Sequence, residues 1–216
     1  MKINKYVLPL SILNLIAIVI VTLGLPDIVP LHISFTGSVN YSGPKWFIPL
    51  IALIPTLILI IYNFKDEWYG KSLENKEITN KLIPILSLFL MIVPWFLVII
   101  ALGDSASLNR SVAIAISILL ALIFIIIGYY LSSPIKQNRF IGIRTPWTLK
   151  NKEVWRKTNK LGSYFFVAGG LFALISSIAA FITSNTNYLL ISWIIAIFLV
   201  IVPVFYSYYT YSKIEK

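Results

Sequence analysis

The chain has 216 residues, of which 58% are hydrophobic and only 12% are charged. A soluble domain of average composition carries about twice that charged fraction, so lipid rather than water is the main solvent of this protein. The absence of cysteine excludes disulfides and cysteine-ligated zinc, and a net charge of +10 fits loops that face anionic lipid without any direct nucleic-acid partner.

Six segments are apolar and long enough, at about 20 residues, to cross a bilayer. None of them contains Asp, Glu, Lys, Arg or His, and bilayer spans tolerate the prolines inside them. The sequence therefore predicts an all-α integral membrane protein, a bundle of six transmembrane helices. The predicted spans are residues 6–25, 46–64, 82–102, 111–131, 164–183 and 188–209.

The basic residues predict the orientation of these spans. Residues 1–5, 65–81, 132–163 and 210–216 hold 16 of the 18 Lys and Arg residues, which places both termini in the cytoplasm. Aromatic residues at or near the predicted span ends are expected to anchor them at the interface. These are Trp46, Trp68, Trp95, Tyr206, Tyr208, Tyr209 and Tyr211.

The chain then divides into three parts. Residues 1–64 are an N-terminal helical pair with an extracellular loop at 26–45, and residues 65–131 are two central transmembrane helices. Residues 132–216 are a basic cytoplasmic loop followed by two C-terminal transmembrane helices. Residues 65–81 carry equal numbers of Lys and acidic residues and are expected to be a solvated connector.

Alternating apolar residues in the extracellular loop predict a short hairpin. Thr36, Gly37 and Ser38 form its turn, with Gly37 free to adopt a positive φ. If Phe35 pairs with Val39 and Ile33 with Tyr41, their apolar face lies on the helix ends like a lid. The opposite, polar face then carries His32, Ser34, Asn40 and Ser42.

His32 is the only histidine in the chain. A metal site needs further ligands and a general base needs an orienting partner, but Asp27 is the only carboxylate in this loop. These requirements favour a hydrogen-bonded structural histidine over a base or a ligand, and they predict neither a metal nor another cofactor.

The cytoplasmic loop 132–163 carries eight basic residues against the single Glu153. From Asn151, a residue type suited to cap a helix, Val154, Thr158 and Leu161 share one face with Trp155 beside it. The opposite face is basic, which is typical of a helix lying on the membrane surface. The loop is then either an anchor for anionic lipid headgroups or a docking site for an acidic partner. An anchor alone has no need of the Pro-fixed turn at residues 144–148, which holds an arginine beside an indole.

This turn lies within a longer pattern. The run from Asn138 to Leu149, followed by Trp155, Thr158, Asn159 and Gly162, closely resembles the signature of the SdpI family. Members of that family are six-span bacterial membrane proteins, and the best known confer immunity to a secreted sporulation-delaying peptide toxin. The extracellular loop is similar to the domain of unknown function that often precedes this signature. That second likeness rests on Pro30, His32, Gly37, Asn40 and Lys45.

The resemblance implies a non-enzymatic protein of the cell membrane with two linked activities. It protects the producer from a hydrophobic peptide toxin, and it holds a cytoplasmic transcriptional repressor at the membrane once toxin is present. Asn40 stands where the preceding domain usually has an acidic residue, which weakens proton or metal chemistry there. The residues that would carry toxin binding or signalling are Asn138, Arg139, Gly142, Arg144, Thr145, Pro146, Trp147, Trp155 and Asn159, with His32, Gly37 and Asn40 outside.

Two other functions stay open. The first is a transporter of lipid or a small solute, but ion coupling usually needs ionisable groups at mid-membrane and the spans contain none. An uncoupled transporter is the form that remains. The second is an interfacial membrane enzyme that uses His32.

Overall fold

A computed structural model describes residues 4–64, 73–103, 105–138 and 141–214 of the chain. These residues form seven helices and one hairpin, which confirms the all-α membrane architecture. The elements are α1 (Asn4–Leu23), β1 (Ile28–Ile33), β2 (Val39–Pro44), α2 (Phe47–Phe64), α3 (Leu73–Leu102), α4 (Ala106–Ser132), α5 (Pro146–Lys150), α6 (Lys152–Thr183) and α7 (Asn187–Ile214).

Five of the described helices, namely α1, α3, α4, α6 and α7, are long and apolar enough to cross a membrane. The apolar part of α2, Phe47–Asn63, is shorter. At a rise of 1.5 Å per residue it spans about 26 Å, slightly less than a typical hydrocarbon core of about 30 Å. The number of six spans therefore depends on α2, and it stays a prediction together with the orientation of the chain.

Two helices, α3 and α6, begin nine or more residues before the predicted spans. α3 begins at Leu73, so the expected connector 65–81 is helical from that residue on, and residues 65–72 lie outside the described part of the chain. α6 runs unbroken for 32 residues, about 48 Å, from Lys152 through the fifth predicted span. The prediction of a separate helix on the membrane surface is therefore wrong, because Val154, Trp155 and Thr158 are buried against protein instead of lipid.

The described residues within 1–70, 80–116 and 184–186 form one compact unit. Its core joins α1, α2, α3 and the base of the hairpin through side chains such as Ile18, Val29 and Ile48. Asn14 of α1 accepts a 2.8 Å hydrogen bond from Trp95 Nε1 of α3. Trp95 was expected to be an interface anchor, but its indole instead satisfies a polar group inside the unit, as a low-dielectric environment requires.

The described residues within 71–79, 117–183 and 187–216 form a second unit. In it α6 packs along α7 and α4 through small residues; a Cβ on Gly170 would come within 2.8 Å of the Ala121 carbonyl oxygen. Trp193 Nε1 donates to Ser117 Oγ at 2.7 Å, and Ser117 Oγ lies 2.9 Å from Ser177 Oγ. This buried chain of hydrogen bonds joins α4, α6 and α7 and leaves these polar groups satisfied.

The hairpin is present, but its register differs from the predicted one. Ile33 pairs with Val39 and His32 pairs with Tyr41, with irregularities on both sides of His32. Pro30 lies in β1 and has no N–H to donate, so a regular ladder cannot continue through it. The expected apolar lid is also wrong in part: Val29 is buried, whereas Phe35, Val39 and Tyr41 are 37%, 44% and 59% exposed.

The orientation and the α2 span can be tested together because the chain has no native cysteine. Single cysteines at Ser42 and Lys76, which are exposed before and after α2, should label differently with a membrane-impermeant thiol reagent on intact cells. We expect Ser42→Cys to react from outside and Lys76→Cys to react only after permeabilisation. Labelling of both from outside would mean that α2 does not cross the membrane.

Candidate functional site

The predicted turn at residues 144–148 begins the short helix α5. Thr145 caps it: Thr145 Oγ1 accepts from the Thr148 N–H at 3.2 Å, and the Thr145 N–H donates to Thr148 Oγ1 at 2.8 Å. Pro146 occupies the first helical position, where its missing N–H costs nothing. The Thr145 hydroxyl also lies 2.9 Å from Ser207 Oγ, which fastens the start of α5 to α7.

Gly142 allows the loop before α5 to approach α6 closely. Its φ is +116°, a conformation that other residues rarely adopt, and a Cβ there would lie 2.8 Å from both Asn159 Oδ1 and the Trp155 ring. Asn159 Oδ1 accepts from the Ile143 N–H at 2.8 Å, while its Nδ2 donates to the Trp155 carbonyl at 2.9 Å. The loop backbone is therefore hydrogen-bonded to a buried helix position.

Trp155 holds the other side of the same loop. It is 2% exposed, and its Nε1 donates to the Ile135 carbonyl at 2.8 Å. Its ring packs in a cluster with Leu131 of α4 and Ile78 of α3. These residues form one hydrogen-bonded assembly at the N-terminal end of α6. We call residues 135–138, 141–150 and 152–163 the inner platform.

Amide side chains complete the inner platform. Asn138 Oδ1 accepts from the Ile141 N–H at 2.8 Å, and Gln137 Nε2 donates to the Thr148 carbonyl at 2.6 Å. Asn75 of α3 clamps the Lys136 backbone, accepting from its N–H and donating to its carbonyl at 3.0 Å each. Such bonds pair the N–H and carbonyl groups of an irregular backbone that packs against helices.

Arg144 and Trp147 lie at the start of α5, at or near the surface. Arg144 is exposed at the start of the turn. Trp147 is half-buried, and its ring centroid lies 5.1 Å from that of Tyr208 on α7. Tyr208, which the sequence predicts to anchor α7 at the interface, contacts this indole in the structure. The arrangement presents an arginine and an indole from a turn whose neighbours Ile143 and Thr145 are hydrogen-bonded to α6 and α7.

The structure thus separates the predicted inner residues by what they contact. Gly142, Thr145, Trp155 and Asn159 are engaged in packing and hydrogen bonding inside the platform, and Asn138 orders its loop. Pro146 is exposed but serves as the first residue of α5. Arg139 lies outside the described residues. Arg144 is exposed, and Trp147 is half-buried against Tyr208.

Gly37 fastens the outer hairpin to α4. Its φ is +86°, as predicted for the turn, and a Cβ there would lie 2.7 Å from the Ala106 carbonyl oxygen and from the Arg110 nitrogen. The hairpin tip therefore packs directly on the first turns of α4. Ser34, Thr36 and Ser38 link their hydroxyls around this turn. Only a glycine permits so close an approach of two backbones.

His32 and Asn40 contribute less to the hairpin. The His32 imidazole is exposed and makes no hydrogen bond within the described residues, so the expected hydrogen-bonded histidine is not what the structure shows. Asn40 is exposed and accepts a long 3.5 Å bond from Ser38 Oγ. Nearby, Lys45 bonds the Leu25 carbonyl at 2.9 Å and Asp27 at 3.2 Å. No group of three or more His, Asp or Glu in the described ranges could hold a metal ion.

Several residues of the site were not found from the sequence. The Thr145–Thr148 spacing with Pro146 between them is a recognisable helix start, and it could have predicted α5. Gln137 and Asn75 bond backbone atoms 11 and 61 positions away, and no local pattern indicates such partners.

The comparisons with known proteins agree with the resemblance drawn from the sequence. A family profile described as the SdpI/YfhL protein family matches residues 134–207, which include the inner platform and most of α6 and α7. The chain is also 28% identical to the immunity protein SdpI of Bacillus subtilis (strain 168), over 94% of this chain and 97% of that protein. No solved structure matches the chain. The likeness and the apolar helices identify a multi-pass protein of the bacterial cell membrane.

The close approach at Gly142 can be tested by adding one methyl group. Gly142→Ala should lower the free energy of unfolding by about 1–3 kcal/mol, because alanine is strained at this φ and its Cβ meets Asn159 and Trp155. Gly24→Ala is the matched control, since its Cβ would meet only the Val21 carbonyl oxygen at 3.6 Å. Thermal denaturation in detergent measures both, and equal stability of the two variants would contradict the packing described here.

Proposed function

We propose that this protein is a membrane immunity protein that protects the cell from a secreted, hydrophobic, membrane-active peptide. The observation that carries the proposal is the similarity over nearly the whole chain to a protein named for immunity. The similarity extends across both the outer hairpin and the inner platform. Protection in this proposal comes from binding and conformational change rather than from catalysis.

The outer hairpin is the element that we assign to sensing. Its exposed Phe35, Val39 and Tyr41 offer apolar surface to a hydrophobic peptide on the extracellular side. Its tip rests on the start of α4 through Gly37. The end of the same helix contributes Leu131 to the cluster around Trp155. A peptide that binds the hairpin can therefore bias the platform only if it favours one position of α4 over another.

The inner platform is the element that we assign to signalling. Arg144 and Trp147 form the surface that a cytoplasmic transcriptional repressor would contact, so that it is held at the membrane when toxin is bound. A guanidinium beside an indole suits recognition of an acidic side chain next to an apolar one. Seven of the eight basic residues of this loop lie outside that pair, and they give general attraction rather than specificity.

The other two functions receive less support from the geometry. The polar groups described in the spans include the half-buried Asn14 and the buried Ser117 and Ser177. They are bonded within the protein and cannot carry a proton or bind an ion by charge. An interfacial enzyme would need an oriented base, and His32 makes no hydrogen bond to any described residue.

The inner surface can be tested by matched arginine variants. Arg144→Ala and Trp147→Ala should abolish protection in cells challenged with the peptide, whereas Arg156→Ala, which removes an exposed arginine from the same platform, should retain most of it. Trp147→Phe should recover part of the loss because a phenyl ring can still pack on Tyr208. Survival is measured at matched membrane abundance. Equal behaviour of Arg144→Ala and Arg156→Ala would reduce the platform to a generic basic anchor.

The outer surface has a second test. Gly37→Val should lose protection because a β-branched residue resists the positive φ and collides with the α4 backbone. His32→Gln should retain it, since the imidazole is exposed. The same survival assay ranks the two variants. An inactive His32→Gln together with a working Gly37→Val would favour chemistry at His32 over sensing by the hairpin.

A further inference from the structure

Lys45 lies where three elements of the protein meet. Its Nζ donates to the Leu25 carbonyl at 2.9 Å and lies 3.2 Å from an Asp27 carboxylate oxygen. Its backbone N–H donates to the Asp27 carbonyl at 3.0 Å, and its own carbonyl accepts from the Ile48 N–H at 3.1 Å. One residue therefore connects the end of α1, the base of the outer hairpin and the start of α2.

The two partners of the Lys45 ammonium group differ in exposure. The Asp27 side chain is 96% exposed, and an ion pair so open to water contributes little because solvent screens it. Leu25 is buried and closes the last turn of α1, with its N–H donating to the Thr22 carbonyl at 3.2 Å. Carbonyl groups at such a helix end have no partner within the helix, and a lysine can supply one while interacting favourably with the helix dipole. The bond to Leu25 is therefore the one expected to hold the base of the hairpin.

The rest of the hairpin is held less firmly than its base. Val29, next to the base, is fully buried in the core shared with α1 and α2. Further along, the strand pairing is irregular on both sides of His32, and such irregularities interrupt the ladder of hydrogen bonds. The tip then packs on α4 at Gly37. The position of the tip therefore depends on how the base is held.

We propose that Lys45 is the positioning residue of the outer hairpin, and that its bond to the Leu25 carbonyl keeps the hairpin tip on α4. Val39 and Tyr41 lie between the base and the tip and are exposed. A peptide that binds them acts on the contact with α4 because the base is held; with a free base, it would displace the whole hairpin instead. The role in peptide sensing rests on the proposed function, whereas the position of the tip can be measured without any peptide.

Crosslinking between the hairpin tip and α4 tests this proposal in the full-length protein, which has no native cysteine. Thr36 and Ser107 are exposed beside the contact of Gly37 with α4, and a short flexible bismaleimide should join cysteines placed at both positions. Lys45→Met keeps the apolar stem but removes the ammonium group. We expect it to lower the crosslinking yield at least about fivefold, because a charged donor is lost and the Leu25 carbonyl is left unpaired. Lys45→Arg should retain the yield, since a guanidinium group can also donate to a carbonyl.

Two controls separate this role from general effects. Asp27→Asn removes the exposed ion pair and should retain the yield; a loss equal to that of Lys45→Met would overturn the proposal. Cysteines at Ser107 and Ser111, one turn apart on α4, report reagent access and should crosslink equally in every variant. Lys45→Gln, which is neutral and one bond shorter than lysine, is the second variant if Lys45→Met fails to fold, and it has the same expected loss. An unchanged yield between tip and α4 in these lysine variants would also overturn the proposal.

Survival under peptide challenge tests the sensing role separately. At matched membrane abundance, Lys45→Met should lower protection and Lys45→Arg should restore it. Lost crosslinking together with full protection would contradict the sensing that we assign to the hairpin. Intact crosslinking together with lost protection would contradict the position that we assign to Lys45.

Discussion

The side-chain amide of Asn159 is the interaction on which the inner platform depends. It bonds the Ile143 N–H and the Trp155 carbonyl at the same time, and it is 4% exposed. An irregular loop that packs on a helix has backbone groups that water can no longer reach, and an unpaired group of this kind costs about 1–3 kcal/mol. The Asn159 amide pairs these backbone groups at the point where Gly142 brings the loop closest to α6. The cap at Thr145 and the exposure of Arg144 both follow from the loop position fixed there.

A glycine with a positive φ also attaches the hairpin to its neighbouring helix. At Gly37, as at Gly142, a residue with positive φ allows one backbone to lie directly on another element. The two contacts differ in their surroundings. Gly142 packs against a buried indole and amide, whereas Gly37 packs on the α4 backbone and the hydroxyl groups that link the rest of its turn are exposed. Hydrogen bonds exposed to water are weaker constraints, so the hairpin is the element that a ligand can displace at lower cost.

Much of the fold could be predicted because the bilayer imposes simple rules. Continuous apolar length predicted the helices, and turn chemistry predicted the hairpin and Gly37 correctly. The errors arose where apolar residues meet protein instead of lipid. Val154, Thr158 and Leu161 recur at helical spacing whether the helix faces a membrane or protein, so the pattern cannot distinguish a surface helix from the extension of α6. Likewise, the pattern that resembles the family signature did not show which of its residues are buried. Asn159 supports the platform from inside, and Arg144 reaches its surface.

The absence of ionisable residues from the predicted spans has an electrical consequence. A membrane potential does work on charges that move through it, about 2.3 kcal/mol per elementary charge per 100 mV. Rearrangements confined to spans that carry only Ser, Thr, Asn and apolar side chains move almost no charge. Their equilibrium is therefore nearly independent of voltage. The protein can hold the same conformation in an energised cell and in one that a membrane-active peptide has depolarised.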